Sequence, residues 1–316
     1  MKYAYYPGCS LSSTGIEYDL STRAVAKHLG VDLWEIPDWN CCGATSAHTT
    51  DHLLAMALPA RTLAQAEQAE LDVAVPCAAC FNRMKTAEAA LKKSETTRAK
   101  ITEIIEMDYQ GKASAYALLD IFTRQIGLEN VAKQVKRPLA GLKVACYYGC
   151  YLVRPPQVTG FDDPENPQSM DRLMTTLGAT PLNWPYKTEC CGAGLGQTKP
   201  EIGLKLIHDI LRVVKEFGAE AIVAACPLCF INLDMRQSEV ARRYGQNFNI
   251  PVFYFTELMA WAFGEQPATI GLSRHFVEAT AIMNITEQRL SEQQAAKEAA
   301  KSAKADSKPQ GGEGEA

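Results

Sequence analysis

Eleven cysteines dominate the chemistry open to this chain of 316 residues, and ten of them fall into two sets of five. Cys9 stands alone, Cys41 and Cys42 are adjacent, and Cys77 and Cys80 form a CxxC pair. Cys150, then Cys190 with Cys191, then Cys226 with Cys229 repeat that order, with 34 residues between the double cysteine and the CxxC pair in both halves. Cys146 stands outside both sets. Structural zinc takes four ligands around one tetrahedron, whereas adjacent cysteines diverge and suit a larger centre in which each sulfur meets a different metal. Cubane clusters of the ferredoxin type commonly use a compact C-x₂-C-x₂-C run, and this chain has none. The spacing points to an iron–sulfur centre outside that common type. Zinc in one half and a thioredoxin-like dithiol at a CxxC pair stay open as alternatives.

Strand–helix alternation must position these residues. Lys2 to Tyr6 and Lys143 to Tyr148 read as short strands that end at a glycine and a cysteine. A helix over Glu17–His28, a strand over Val31–Ile36, a helix over Asp51–Glu70 and a strand over Leu71–Val75 follow in the first half. The second half repeats the series, with helices over Ser169–Leu177 and Glu201–Phe217, an extended Pro181–Trp184 and a strand over Ala221–Ala225. Motifs align as well: Asn40-Cys41-Cys42-Gly43-Ala44 with Glu189-Cys190-Cys191-Gly192-Ala193, and Tyr6 with Tyr148 after one deletion. Alternation of this kind predicts parallel strands with right-handed crossovers. The cysteines then stand beyond the carboxyl ends of strands, the edge where open α/β sheets bind ligands. Between the halves, Thr86–Glu106 reads as a charged helical run and Ala113–Gln125 as an amphipathic helix.

The expected architecture is α/β: two tandem pseudo-symmetric units over 1–138 and 139–285, each a small parallel-sheet βα unit. From Ser291 onward the chain is Ala, Lys, Glu, Gln and Ser, too polar to bury a core, so 286–316 is expected to be a disordered, flexible tail. Apolar residues make up 47% and charged ones 22%, and the net charge of -4 argues against a nucleic-acid-coating protein. No run reaches the roughly 18 apolar residues of a membrane-spanning helix. Met1 to Cys9 lacks an apolar signal region, which leads to the expectation of a cytoplasmic protein with reduced thiols rather than a disulfide framework. No GxGxxG follows a strand and no P-loop occurs, so electrons must reach this chain from partners.

Two copies of a Cys…Cys-Cys-Gly…Cys-x-x-Cys pattern make residues 1 to about 285 resemble the B subunit of heterodisulfide reductase and its tandem CCG-domain relatives. Phe161-Asp162-Asp163-Pro164-Glu165-Asn166, Cys226-Pro227-Leu228-Cys229 and Asn232-Leu233-Asp234 extend the likeness. The resemblance implies two noncubane 4Fe-4S clusters. Cys9, Cys41, Cys42, Cys77 and Cys80 would hold one; Cys150, Cys190, Cys191, Cys226 and Cys229 would hold the other. It implies reduction of a small-molecule disulfide to two thiols. The partners it implies are a ferredoxin-like C subunit together with a flavin-containing A subunit. A second expectation is a non-catalytic electron-relay subunit of the glycolate or lactate oxidase or fumarate reductase type.

Other side chains carry weaker signals. Cys146, four residues before Cys150, reads as a buried thiol or an additional ligand. His275 is a candidate proton donor at a cavity edge or a structural histidine. His48 and His52, at i and i+4 of one helix, suit a metal or a solvated face. Arg83 and Arg154 are candidates for binding an anionic substrate, and Trp34, Trp39 and Trp184 for shielding a centre from water.

Overall fold

A computed structural model describes residues 1–196 and 198–306. Two four-stranded parallel sheets organise it. The first holds β1 (Lys2–Tyr5), β2 (Asp32–Glu35), β3 (Val73–Val75) and β4 (Ala115–Ala117) in the order β2-β1-β3-β4. The second holds β5 (Lys143–Tyr147), β6 (Thr180–Pro181), β7 (Ala221–Ala224) and β8 (Val252–Tyr254) in the order β6-β5-β7-β8. The duplication read from the cysteines is therefore a duplication of topology.

The central strands are buried along their length, Val73–Val75 and Ala221–Ala224 throughout, because helices cover both faces of an all-parallel sheet. Helices Ile16–His28, His52–Gln68, Ser169–Thr176 and Pro200–Glu216 make the crossovers. In each half the chain leaves the first strand toward one edge, then crosses back to the other side. That reversal creates a topological switch point between β1 and β3 and between β5 and β7, where flanking loops diverge and leave a crevice at the carboxyl ends.

One expectation changes and another is refined. Ala113–Gln125 is not one amphipathic helix: Ala115–Ala117 pairs with β3 in the register Ala74↔Tyr116, and a short helical turn and a π-turn follow over Leu118–Gln125. A three-residue strand buried at Ala115 and Ala117 is too short to display a period of two. The charged run Thr86–Glu106 belongs to two helices, Ala78–Lys93 and Glu95–Ile105, because Ser94 leaves helical geometry and its hydroxyl caps the Thr97 N–H at 3.2 Å. The C-terminal tail is led by the helix Thr280–Asp306. Its first turns are docked, with Met283 and Thr286 buried, and Ser291–Ala296 are solvent-exposed. Residues 307–316 lie outside the described residues.

The halves meet across a buried seam. Helix Ile16–His28 packs on helix Phe255–Ala262 of the other half. Tyr18 stacks on Tyr254 with ring centroids 4.0 Å apart, and the hydroxyls of Ser21 and Thr256 hydrogen-bond at 2.7 Å.

Candidate functional site: two facing sets of cysteines

Each sulfur is set by a local backbone feature. After β1 the chain runs Tyr6-Pro7-Gly8-Cys9 and after β5 Tyr147-Tyr148-Gly149-Cys150, so the repeats align without a deletion and Tyr147, not Tyr148, matches Tyr6. The chemistry agrees: the Tyr6 hydroxyl donates to the Asn40 carbonyl at 2.8 Å and the Tyr147 hydroxyl to the Glu189 carbonyl at 2.6 Å. Each tyrosine ties its strand end to the residue before the double cysteine. Gly43 and Gly192, which follow the double cysteines, have φ of 73° and 74°, and a Cβ on Gly43 would lie 2.6 Å from that of Ala47. Only glycine meets both demands. In that conformation the Gly43 N–H points to the Cys41 sulfur at 3.4 Å and the Gly192 N–H to the Cys190 sulfur at 3.3 Å.

Cys77 and Cys226 each cap a helix, Ala78–Lys93 and Pro227–Met235. The sulfurs then run together. Cys42 and Cys80 are 3.1 Å apart, and their counterparts Cys191 and Cys229 are 3.4 Å apart. Cys150 lies within interaction range of Cys190, and Cys77 of one set within that of Cys226 of the other. The two sets approach each other at these residues. Cys9 is exposed, within electrostatic reach of Cys41 and Tyr6.

Hydrogen bonding among the sulfurs splits their proton affinities: Cys41, Cys77, Cys80, Cys150 and Cys229 are pushed up as donors, and their acceptors are pushed toward the thiolate, the form that ligates metal. Hydrogen bonds from Cys41 and Cys80 push Cys42 down to about 4. A bond from Cys150, aided by the Gly192 N–H, pushes Cys190 down to about 6. Cys226 lies well below the usual thiol range because Cys229, Cys77 and the helix N–H groups of Leu228 and Cys229 donate to it. Among the described residues no three Cys, His, Asp or Glu side chains close around one point as a mononuclear site requires. The donors are five soft thiols in each half, two of them adjacent, a set that suits an iron–sulfur centre.

A cavity of about 280 Å³ opens beside them, lined by all five second-half cysteines of the repeat. Its opposite wall comes from the first half, with Ala44, Thr45, His48 and Thr49 after the double cysteine and Ala78 and Ala79 within the CxxC pair. His48 thus lines the same cavity as the second-half cysteines. His52 does not share its helix, because Asp51 is extended (φ -152°, ψ 132°) and breaks the expected i, i+4 pair.

The remaining candidates separate. Cys146 is fully buried in β5, its thiol pushed well up by burial, and its charged neighbours are Asp171 and Lys187 rather than either sulfur set. His275 is away from the cavity lining; its Nε2 lies 2.8 Å from Glu257, with both side chains fully buried. Arg154 pairs with Glu165 at 2.8 Å, whereas Arg83 lies over the Tyr151 ring at 5.6 Å and bonds Asn82. Trp39 packs edge-on against Tyr6, the Trp184 indole N–H donates to the Cys146 carbonyl, and Trp34 is half-buried on β2. Asp162 and Asp163 of the Phe161–Asn166 stretch accept backbone N–H groups of their own turn and of Ser169.

Three features were invisible to spacing. The Tyr18 hydroxyl reaches the Pro76 carbonyl at 3.1 Å and the Ala225 carbonyl at 3.4 Å, the residues directly before Cys77 and Cys226. Asn82 donates to the carbonyls of Tyr151 and Arg154, and Asn232 donates to that of Cys191. Lys187, Asp171 and Tyr148 form a buried network behind the second set, with contacts of 2.8 and 2.7 Å.

This fold and site define a tandem cysteine-rich protein, and residues 3–85 and 144–234 each match the CCG cysteine-rich domain. The chain belongs to the CCG family, in the two-domain form of the heterodisulfide reductase B subunit. It is 32% identical to the 8-methylmenaquinol:fumarate reductase membrane anchor subunit of Wolinella succinogenes, over 89% of this chain and 99% of that one. It is 27% identical to the B subunit of the ferredoxin:CoB-CoM heterodisulfide reductase of Methanosarcina mazei, over 88% of this chain and 94% of the relative. A heterodisulfide reductase B-subunit-like protein of Archaeoglobus profundus is 29% identical over 85% of this chain and 93% of its own. The fold recurs in a hypothetical protein from Helicobacter pylori, with a TM-score of 0.72 at 14% identity, over 88% of this chain and about half (52%) of that longer one. Among the described residues no helix is long and apolar enough to cross a membrane.

Proposed function

We propose that this chain is the disulfide-reducing iron–sulfur subunit of a heterodisulfide-reductase-like complex, working in the cytoplasm. The observation that carries the reading is a cavity lined by all five cysteines of the second set and walled by both halves, with the first set approaching the second at Cys77. Cys9, Cys41, Cys42, Cys77 and Cys80 would hold one noncubane 4Fe-4S cluster, and Cys150, Cys190, Cys191, Cys226 and Cys229 the other. Bound there, iron–sulfur centres supply electrons one at a time and Lewis-acidic iron that stabilises developing thiolate charge.

The protein's own residues do the rest. Tyr6 and Tyr147 hold the double-cysteine loops against their strand ends, and Tyr18 holds the two CxxC helices in register. Ala44, Ala78, Ala79, Leu195 and Leu228 give the cavity an apolar lining that limits water around a reacting sulfur. His48 and Thr45 offer polar groups to a substrate from the wall opposite the second set. Cleaving a disulfide consumes two electrons and two protons and yields two thiols. The electrons are assigned to partners, a ferredoxin-like C subunit together with a flavin-containing A subunit; the methanogen relatives, named as B subunits, are likewise parts of larger complexes.

The likeness to the fumarate reductase subunit supports a second reading, an electron relay without substrate of its own. Anaerobic purification with natural partners, followed by paramagnetic resonance of the oxidised complex with added thiols, separates the two. A thiol-dependent change in the signal is expected. A signal indifferent to every thiol assigns the chain to relay.

A further inference from the structure

Beneath the second cysteine set, on the seam between the halves, lies a group of buried charges that the proposed reaction leaves unused. His275, Glu257 and Asp234 are buried, and the Glu17 side chain is 3% exposed. Glu257 comes from helix Phe255–Ala262, Asp234 from helix Pro227–Met235 and Glu17 from helix Ile16–His28, so three elements of both halves converge on one imidazole.

The bonding is uneven. His275 Nε2 meets one Glu257 oxygen at 2.8 Å, while the other accepts the Tyr254 N–H. Asp234 accepts the N–H groups of Phe276 and Val277. Glu17 faces Arg274, whose side chain is 49% exposed, at 3.4 Å, and Glu278 also faces the ring from its own segment. His275 Nδ1 is buried and has no hydrogen-bond partner, and neither has the Tyr254 hydroxyl. Three carboxylates thus surround one histidine with a vacant nitrogen. Such a group holds protons, because each added proton relieves carboxylate repulsion in a medium of low polarity. Burial lowers the proton affinity of His275, and Glu257, Asp234 and Glu17 more than offset it. Burial also raises Glu17 and Asp234.

The group is close to the sulfurs. His275 packs edge-on against Phe230, centroids 5.1 Å apart, and Phe230 is the residue after Cys229. Phe230 stacks on Tyr254 at 4.2 Å, which stacks on Tyr18. Tyr254 lies within electrostatic reach of Cys226 and of the carboxylates Glu17 and Glu257, so the buried charges and the second cysteine set share an aromatic neighbour.

We infer that the His275–Glu257 pair, with Asp234 and Glu17, is a redox-linked proton-holding site. One electron from a low-potential one-electron donor enters the centre on the second cysteine set, and one proton from water enters past Arg274 to His275 Nδ1. No bond between heavy atoms forms or breaks, and oxidation returns both. His275 is a positioning residue here, acting on the centre through charge. This rests on the proposal that the cysteines hold iron–sulfur centres, and deepens it by naming where a reaction that consumes protons keeps one.

The test is a redox titration of the anaerobically purified complex, poised with viologen dyes and read by paramagnetic resonance across neutral pH. In the wild type one midpoint potential falls by about 59 mV per pH unit, the value for one proton per electron. In His275→Gln that slope is lost, with iron content unchanged. Glu257→Gln, which removes a carboxylate from the ring, moves the sloping window to lower pH and serves where His275→Gln does not fold. A flat wild-type potential, or a slope that survives in His275→Gln, or an unmoved window in Glu257→Gln, overturns the inference. Thiols added to the same samples keep the two proposals apart. A sloping potential without a thiol response sinks disulfide reduction alone, and a thiol response with a flat potential sinks the proton site alone.

Discussion

Tyr18 shows how much one side chain does in a protein made of two halves. Its hydroxyl contacts the carbonyls before Cys77 and Cys226, so Tyr18→Phe removes that tie while keeping the stack on Tyr254. A loss of about 1 kcal/mol in urea unfolding is expected, with a changed magnetic interaction between the centres at unchanged iron content. Lys187 is a harsher case. Its side chain is 4% exposed and its ammonium pairs with Asp171 at 2.8 Å; Lys187→Met strands that carboxylate and is expected to cost about 3–5 kcal/mol in urea unfolding. Adding Asp171→Asn should restore more than half of it. By contrast, Cys146→Ala, far from both sets in contacts, should leave iron and acid-labile sulfide at wild-type levels. Cysteine identity and spacing were legible one residue at a time. Tyr18 and Lys187 were not, because a tyrosine in a helix and a lysine before a loop carry no periodic mark of what they touch.

Loops of two or three residues decide the site at the scale of elements. Gly192 has φ of 74°, and a Cβ there would lie 3.0 Å from the Gly203 backbone. Gly192→Ala is therefore expected to lower iron incorporation in one half selectively, measured as iron per chain falling toward half. The helix Thr280–Asp306 offers a pH-dependent contact, since Arg289 holds the Glu220 carboxyl below its usual range, aided by the Lys143 N–H. A depressed carboxylate stabilises the fold above the unfolded-state value of about 4.3 and loses that contribution as pH falls through the folded value. Arg289→Ala should thus lower the melting temperature at pH 7, by less than about 1 kcal/mol in free energy given the partial exposure. It should make little difference near pH 3. The crossover helices were legible in their period and caps. β4 was not, since three buried residues hold too little pattern, and the Asp51 break between His48 and His52 hid inside a continuous helical signal.

The whole molecule works as one body with a seam. Helix Ile16–His28 of the first half needs helix Phe255–Ala262 of the second to cover Tyr18 and Ser21, which are fully buried. A chain ending at Pro251 should therefore lose the first half as well as the second, seen as absent cooperative unfolding by circular dichroism. The duplication itself, the parallel α/β class and the gathering of cysteines at strand ends followed from sequence, because crossover topology obliges residues after consecutive strands to share one edge of the sheet. How the two edges are turned was decided by tertiary structure alone. The approach of Cys77 to Cys226, the cavity walled by both halves and the retreat of His275 into a carboxylate cluster all depend on packing across the seam. Spacing along a chain reports which residues a half can bring together, and only the burial of one half against the other determines what those residues face.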